Sequence, residues 1–272
     1  MIKQLLPVCI FLVLTGCKES NKDTIPVDAT SPISTEANYS EIKYPQDLQK
    51  VFDAHGTYGA WKEYKTLSYE IRNGESNEIH VLDLKKRMDL ITMGDIQMGF
   101  DGDKVWLADP QNIYQGDPVF YHNLMFYFYA MPFVLGDEGI NYGETEDLIV
   151  DGKTYPGIRI TYDSGVGTSP KDEYYLHYDP ETFQMAWLGY TVTYRTGEDS
   201  DTIKWIRYDD WQKVGDLVLP KSISWVAYEG REIGDKRNTV YFENIEVSKE
   251  SKPKGFYKKP EAGVFVDGKT QS

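Results

Sequence analysis

From Thr66 onward, apolar residues recur at every second position in short runs parted by turn residues. That period fits a pleated strand and does not fit a helix. The runs are Leu67–Arg72, Glu78–Leu84, Arg87–Met93, Asp95–Phe100 and Lys104–Ala108, then Asp147–Val150, Gly157–Tyr162, Glu173–Tyr178, Met185–Tyr194, Ile203–Tyr208, Lys221–Tyr228 and Asn238–Val247. The Asp101-Gly102 and Asp151-Gly152 pairs between runs tolerate positive φ and suit hairpin turns. Runs this closely spaced predict antiparallel pairing. In Met185–Tyr194, Ala186, Leu188, Tyr190, Val192 and Tyr194 share one face, and Met185 and Trp187 take the other. A sheet with both faces partly apolar is covered on both sides and curls around something. Ahead of it, Pro45 opens a helix carrying Leu48, Val51 and Phe52 at helical spacing, which Gly56 ends. A second short turn follows around Ala60–Tyr64.

One stretch breaks the alternation. Phe120–Leu135, FYHNLMFYFYAMPFVL, holds sixteen residues of which only His122 and Asn123 are clearly polar. As a helix it covers about 24 Å, short of the ~30 Å needed to span a bilayer core, and Pro132 interrupts it. Helical spacing sets Phe120, Leu124, Tyr127 and Met131 on one stripe and Tyr121, Met125 and Phe128 on another. Two readings stay open. In one, this is a core helix buried all round. In the other, residues 117–135 form a lid across the hollow of the curved sheet. One stripe then packs on the sheet, and the other lines an apolar pocket with tyrosine hydroxyls at its rim. On the second reading Phe120, Tyr121, Leu124, Tyr127, Phe128 and Met131 are the candidate ligand-binding residues, with Gly136 and Gly139 as the hinge. The spacing does not decide which stripe faces the sheet.

The formal net charge of the 272-residue chain is -14, which argues against nucleic acid, since phosphate contacts need clustered Lys and Arg. A membrane is compatible with that charge if a lipid supplies the attachment. The N-terminus has the form of a lipoprotein signal. Lys3 is a short basic region, Leu5–Leu14 a short apolar one, and the stretch ends in Leu14-Thr15-Gly16-Cys17. This resembles the bacterial lipobox, in which the Cys is acylated after cleavage. The expected organisation is a signal peptide over 1–16, a lipidated Cys17 with a disordered tether over 17–44, and one sheet domain over 45–250. The tether expectation rests on a Ser-, Thr-, Asn-, Asp- and Pro-rich composition. Cleavage removes Cys9, which leaves no thiol free for a disulfide or for catalysis. The expected location is the bacterial cell envelope as an outer-membrane lipoprotein, with the side it faces left open. The tail over 251–272 contains Phe256 and Val264-Phe265-Val266, and the sequence leaves open whether it docks.

The order of helix, strands, inserted helical segment and further strands resembles the lipoprotein carrier fold of the LolA and LolB type. Phe100-Asp101-Gly102-Asp103-Lys104-Val105-Trp106-Leu107-Ala108-Asp109-Pro110 carries that resemblance at residue level. It implies an unclosed antiparallel barrel covered by helices, with acyl chains held between them. No equivalent of the carriers' functional basic residue is recognisable. Ala54-His55-Gly56, Trp61, Lys65-Thr66-Leu67, Phe120-Tyr121-His122-Asn123, Tyr129-Ala130-Met131-Pro132-Phe133, Tyr155-Pro156-Gly157 and Asp209-Asp210-Trp211 are similar to a domain family of unknown function in lipoproteins of Bacteroidota-type bacteria. That resemblance implies the anchor and the fold and no activity.

Catalytic signals are weak. His55, His80, His122 and His177 form no zinc spacing, and no nucleophile elbow occurs. His122-Asn123 is the best polar pair. Gly165-Val166-Gly167 lacks the third glycine and the helix of a nucleotide cradle. Asp101-Gly102-Asp103 and Asp209-Asp210 read as turn and surface groups, without calcium-loop spacing. No cofactor and no metal are expected. The fold expected is mainly β (α+β), a curved antiparallel half-barrel covered by a few helices. Three functions fit it. A non-enzymatic envelope protein could hold a lipid, an acyl chain or an acylated protein. A docking module without a pocket could bind an envelope partner. A hydrolase could set two carboxylates across a cleft, with Trp187, Trp205, Trp211 and Trp225 stacking on sugar rings.

Overall fold

The computed structural model describes residues 44–72, 74, 76–163, 171–194 and 196–267. The expected signal peptide, Cys17, nearly all of the tether, and Gly165-Val166-Gly167 lie outside them. The described residues belong to one unit. Helices α1 (Gln46–Ala54) and α2 (Tyr58–Glu63) lead into strands β1 (Thr66–Ile71), β2 (Glu78–Asp83), β3 (Asp89–Met93), β4 (Ile96–Phe100) and β5 (Val105–Ala108). Helices α3 (Pro118–Tyr121) and α4 (Leu124–Tyr129) and a 3-10 turn at Phe133–Gly136 follow. Then come β6 (Ile140–Gly143), the hairpin β7 (Leu148–Val150) and β8 (Lys153–Tyr155), β9 (Gly157–Tyr162), β10 (Tyr174–Tyr178) and β11 (Met185–Tyr190). Three long strands, β12 (Lys204–Val214), β13 (Leu217–Glu229) and β14 (Glu232–Ser248), precede the short β15 (Val264–Phe265).

All strands but the β7–β8 hairpin join one antiparallel sheet, in the order β15-β5-β4-β3-β2-β1-β14-β13-β12-β11-β10-β9-β6. Its two edges, β15 and β6, do not meet, so the sheet is curved and unclosed. The bend has local causes. Bulges interrupt the β1–β14, β10–β11, β12–β13 and β13–β14 ladders, and a bulge adds twist where it sits. β14 is shared lengthwise: up to Tyr241 it pairs with β13, and from Phe242 it pairs with β1.

The start of β13 is therefore free of β14, and α1 seals it. Val218 N–H donates to the His55 carbonyl at 2.9 Å, and His55 Nδ1 lies 3.1 Å from the Val218 carbonyl. The other ring nitrogen, Nε2, accepts from the Met185 N–H at 3.0 Å, which fixes the neutral tautomer with the proton on Nδ1. Burial holds this imidazole down to about 4. Gly56 must be glycine here: its φ is +101°, and an added Cβ would lie 2.1 Å from the Asp216 carbonyl oxygen.

The alternation predicted from the sequence places the core. Leu67, Tyr69 and Ile71 of β1 and Leu188 and Tyr190 of β11 join Leu48, Val51 and Phe52 of α1 in a large cluster within the curve. The other face carries a smaller cluster of Leu148, Tyr155, Ala186, Trp187, Trp205 and Val226. The predicted facing of Met185 and Ala186 is reversed. Trp187 pairs with His177 and Met185 with Tyr178, so Ala186 is the extra residue of a bulge and the two change sides. β11 also stops at Tyr190 rather than Tyr194, because Thr191 and Thr193 turn to bond Glu173 and Asp172. The tail docks. β15 pairs with β5, the Trp106 indole N–H donates to the Tyr257 carbonyl at 3.0 Å, and Tyr257 is buried.

Candidate functional site

The aromatic stretch is not one helix. Asp117 caps α3 by accepting from the Val119 and Phe120 N–H groups at 3.0 and 3.3 Å, with Pro118 in the first turn. His122 ends α3 and turns its Nδ1 to Asp89 Oδ2 at 3.1 Å. α4 starts afresh at Leu124, and Pro132, which has no N–H to donate, separates it from the 3-10 turn. The buried His122–Asp89 pair and Pro132 thus cut the segment into three pieces.

These pieces are core on one side and cavity wall on the other. Phe126, Phe128, Tyr129, Met131, Phe133 and Leu135 are buried. The Tyr208 hydroxyl donates to the Phe128 carbonyl at 2.7 Å and ties α4 to β12. Beside Leu124 and Tyr127 a cavity of about 390 Å³ opens to solvent, and Ile140 of β6, Tyr162 of β9 and Tyr174 of β10 complete its far wall. Tyr127 and Tyr162 share a hydrogen bond of 2.7 Å between their hydroxyls. Tyr127 and Tyr174 have ring centres 5.8 Å apart, as do Tyr162 and Tyr174. Phe120 packs on Tyr194 at 4.9 Å. Burial raises Tyr127 to about 12 and lifts Tyr162 and Tyr174 well above the ordinary phenol range, so all three stay neutral.

Charge is confined to four residues of the described lining: Arg87, Asp137, Glu138 and Asp172. Arg87 Nη2 donates to Asp137 Oδ2 at 2.5 Å, and its guanidinium lies 4.9 Å from the centre of the Phe126 ring. Burial raises the Asp137 carboxyl and Arg87 opposes that shift. Asp172 is also raised by burial, opposed by bonds from the Thr193 N–H and hydroxyl at 2.6 and 2.7 Å. Two polar atoms of the lining are buried without a partner, Asn123 Oδ1 and Arg87 Nη1.

Of the six candidate ligand-binding residues, Phe120, Leu124 and Tyr127 line this cavity. The other three are placed elsewhere. Tyr121 donates its hydroxyl to Glu78, Phe128 packs on Tyr190 and Trp225 at 5.1 and 5.7 Å, and Met131 is fully buried. The predicted helical stripes presuppose one continuous helix, and the breaks at His122 and Pro132 reset the phase. Gly136 is not free to act as a hinge. Its carbonyl accepts from the Tyr44 and Tyr58 hydroxyls at 2.9 and 2.7 Å, and an added Cβ would lie 2.5 Å from the Tyr58 ring. Sequence reasoning passed over Arg87 and Asp172, since an isolated charge beside a strand has no pattern to betray it. Tyr174 was legible only as a strand residue.

The histidines have structural partners. Like the His55 ring, the His177 ring is buried, with Nδ1 at 3.0 Å from the Tyr155 carbonyl, and is lowered to about 4. His80 stacks on Tyr69 at 4.8 Å. His122 and Asp89 are buried away from the cavity lining, and burial raises the Asp89 carboxyl. Trp187 and Trp205 are buried, not exposed as the sugar-stacking reading required. Asp101 Oδ1 accepts from the Asp103 and Lys104 N–H groups, a turn role. Among the described residues no three His, Cys, Asp or Glu side chains gather to hold a metal ion, and no helix is long and apolar enough to cross a membrane.

Residues 102–228 match the model of a family of unknown function, DUF6503. The match takes in the aromatic segment and most of the cavity wall. Among solved structures, a DUF1329 family protein from Desulfovibrio piger is similar at 12% identity and a TM-score of 0.48, over 79% of this chain and 98% of that one. A LolA superfamily protein from Nitrosomonas europaea is similar at 10% identity and a TM-score of 0.44, over 78% of this chain and 97% of that one. No curated protein matches the chain significantly. Likenesses at these scores say nothing about what the chain binds.

Proposed function

We propose that this is a non-enzymatic cell-envelope protein, held to the membrane through Cys17, that binds a hydrophobic ligand, a lipid or an acyl chain, in the cavity beside α4. The observation carrying this reading is the cavity itself. It measures about 390 Å³, within the ~300–1,000 Å³ of typical ligand pockets. Its walls are Phe120, Leu124, Phe126, Tyr127 and Ile140, with neutral tyrosines opposite. Each CH₂ moved from water into such walls contributes about 0.8 kcal/mol.

The test is native mass spectrometry with solvent extraction on the full chain, beside the Leu124→Asp variant. A co-purifying hydrophobic molecule lost in a variant with unchanged circular dichroism supports the reading. A wild type that is empty and takes up no added lipid rejects it and turns the search to protein partners. Hydrolysis is the second reading, favoured by one observation: Asp137, Glu138 and Asp172 line the same cavity. Against it, Asp137 is committed to Arg87 and Asp172 to Thr193. Turnover of a polysaccharide or lipid ester that Asp172→Asn abolishes would establish it.

A further inference from the structure

We infer that the ligand of this cavity carries a positive charge at its solvent end, so that the site takes a single-chain cationic amphiphile in preference to an anionic one. The inference rests on the binding role proposed above and concerns the head group alone.

Three features carry it. The described lining sets three carboxylates, Asp137, Glu138 and Asp172, against one guanidinium, Arg87. Among the described residues that guanidinium pairs with Asp137, while Glu138 and Asp172 have no cationic partner. Next, four tyrosine rings, Tyr127, Tyr162, Tyr174 and Tyr194, are part of the lining. The face of a tyrosine ring attracts a cation within about 6 Å, the more so where water is excluded. The site already uses this attraction once, with Arg87 over Phe126 at 4.9 Å. Finally, Asn123 Oδ1 is a buried acceptor without a donor.

The opposing feature is Arg87 Nη1, a buried donor without an acceptor. A carboxylate head could reach for it. That head would then sit among three carboxylates of the lining, on a chain whose formal net charge is -14. The long-range field and the local field both oppose it. A carbonyl or ether oxygen in the ligand's linker would satisfy Nη1 without that cost.

Matched probes decide the matter: decyltrimethylammonium, decanoate and decyl maltoside, each below its micelle concentration, titrated calorimetrically into the full-chain protein. The expected result is one-to-one binding of the cation about tenfold tighter than decanoate at low salt, with the gap narrowing as salt rises. In a Glu138→Gln/Asp172→Asn double variant the gap should close to about threefold or less, each affinity being read relative to that of decyl maltoside for the same variant. The neutral probe thereby takes out any change in the cavity itself. Equal affinity for all three probes overturns the head-group inference and leaves the apolar cavity standing. Tightest binding of decanoate overturns it in favour of Arg87 as the selector. No binding of any probe removes both readings.

Discussion

Acid should undo this fold through two histidines, and His177 offers the cleaner test. Its ring is buried, its Nδ1 lies 3.0 Å from the Tyr155 carbonyl, and Arg231 Nη2 stands 3.4 Å from Nε2. Burial is the main cause that lowers it to about 4 from 6.5, and the neighbouring Arg231 charge adds to it. A base whose folded pKa lies below its unfolded one binds protons more readily when unfolded. Its contribution is whole above pH 6.5 and is lost as pH falls towards 4. Linkage over that window gives a loss of about 1.4 kcal/mol by pH 5.5 and about 2.5 kcal/mol by pH 4.5. The carboxyls of buried Asp89 and of the partly buried Asp137 and Asp172 work the other way, since their raised pKa values favour the folded state as they take up protons. A difference between two proteins removes that background. His177→Asn keeps a donor near the Tyr155 carbonyl and has nothing to titrate. It should cost about 1–2 kcal/mol at pH 7.5, from the lost ring packing and the lost Arg231 bond. By pH 4.5 the difference should vanish or change sign. Urea unfolding of both proteins at pH 7.5, 6.5, 5.5 and 4.5 reads this directly. A difference that stays constant with pH would refute the reasoning.

Three further outcomes follow from the packing. Gly56→Ala should destabilise by about 2–4 kcal/mol in denaturant titration, because the new methyl meets the Asp216 carbonyl and φ is +101°. Ending the chain at Lys252 removes β15 and Tyr257 from Trp106. It should lower Tm by roughly 6–12 °C in a thermal scan, the equivalent of about 3 kcal/mol of lost burial. Tyr208→Phe leaves the buried Phe128 carbonyl without that donor and should cost about 1–2 kcal/mol by urea unfolding.

The sheet was legible because its signal is local. In Leu67, Tyr69 and Ile71 a two-residue period in six residues of chain names both the strand and its buried face. Bulges are not written that way. Ala186 looks like any other residue of its run, and only pairing against β10 makes it the extra one. The ends of β12 and β14 were set short for a related reason. Asp209, Glu232 and Asp235 dilute the pattern, but in strands this long the ladder carries polar residues along. The cavity was half legible. An apolar segment announced that something would be covered, and Phe120, Leu124 and Tyr127 do line the space beside it. The charged part of its lining was not, since Arg87, Asp137 and Asp172 come together only through folding.

The same segment bears on how a ligand gets in. A lid that lifts would have to bring Phe126, Phe128, Tyr129, Met131 and Phe133 out of the core, and all five are buried. At about 1.5–3 kcal/mol each, that exposure costs on the order of 10 kcal/mol, as much as a whole domain's stability. Gly136, the expected hinge, is pinned by two tyrosine hydroxyls as well. The cavity meanwhile is open to solvent, so access needs no such movement. Tyr208→Phe separates the two routes. It weakens the hold on α4 by about 1–2 kcal/mol, and Tyr208 is not among the described lining residues. If α4 lifts to release ligand, the release rate measured by stopped flow should rise about 5- to 30-fold, in step with that loss. If ligand leaves through the mouth, the rate should stay as it is in the wild type, and the aromatic segment is a fixed wall.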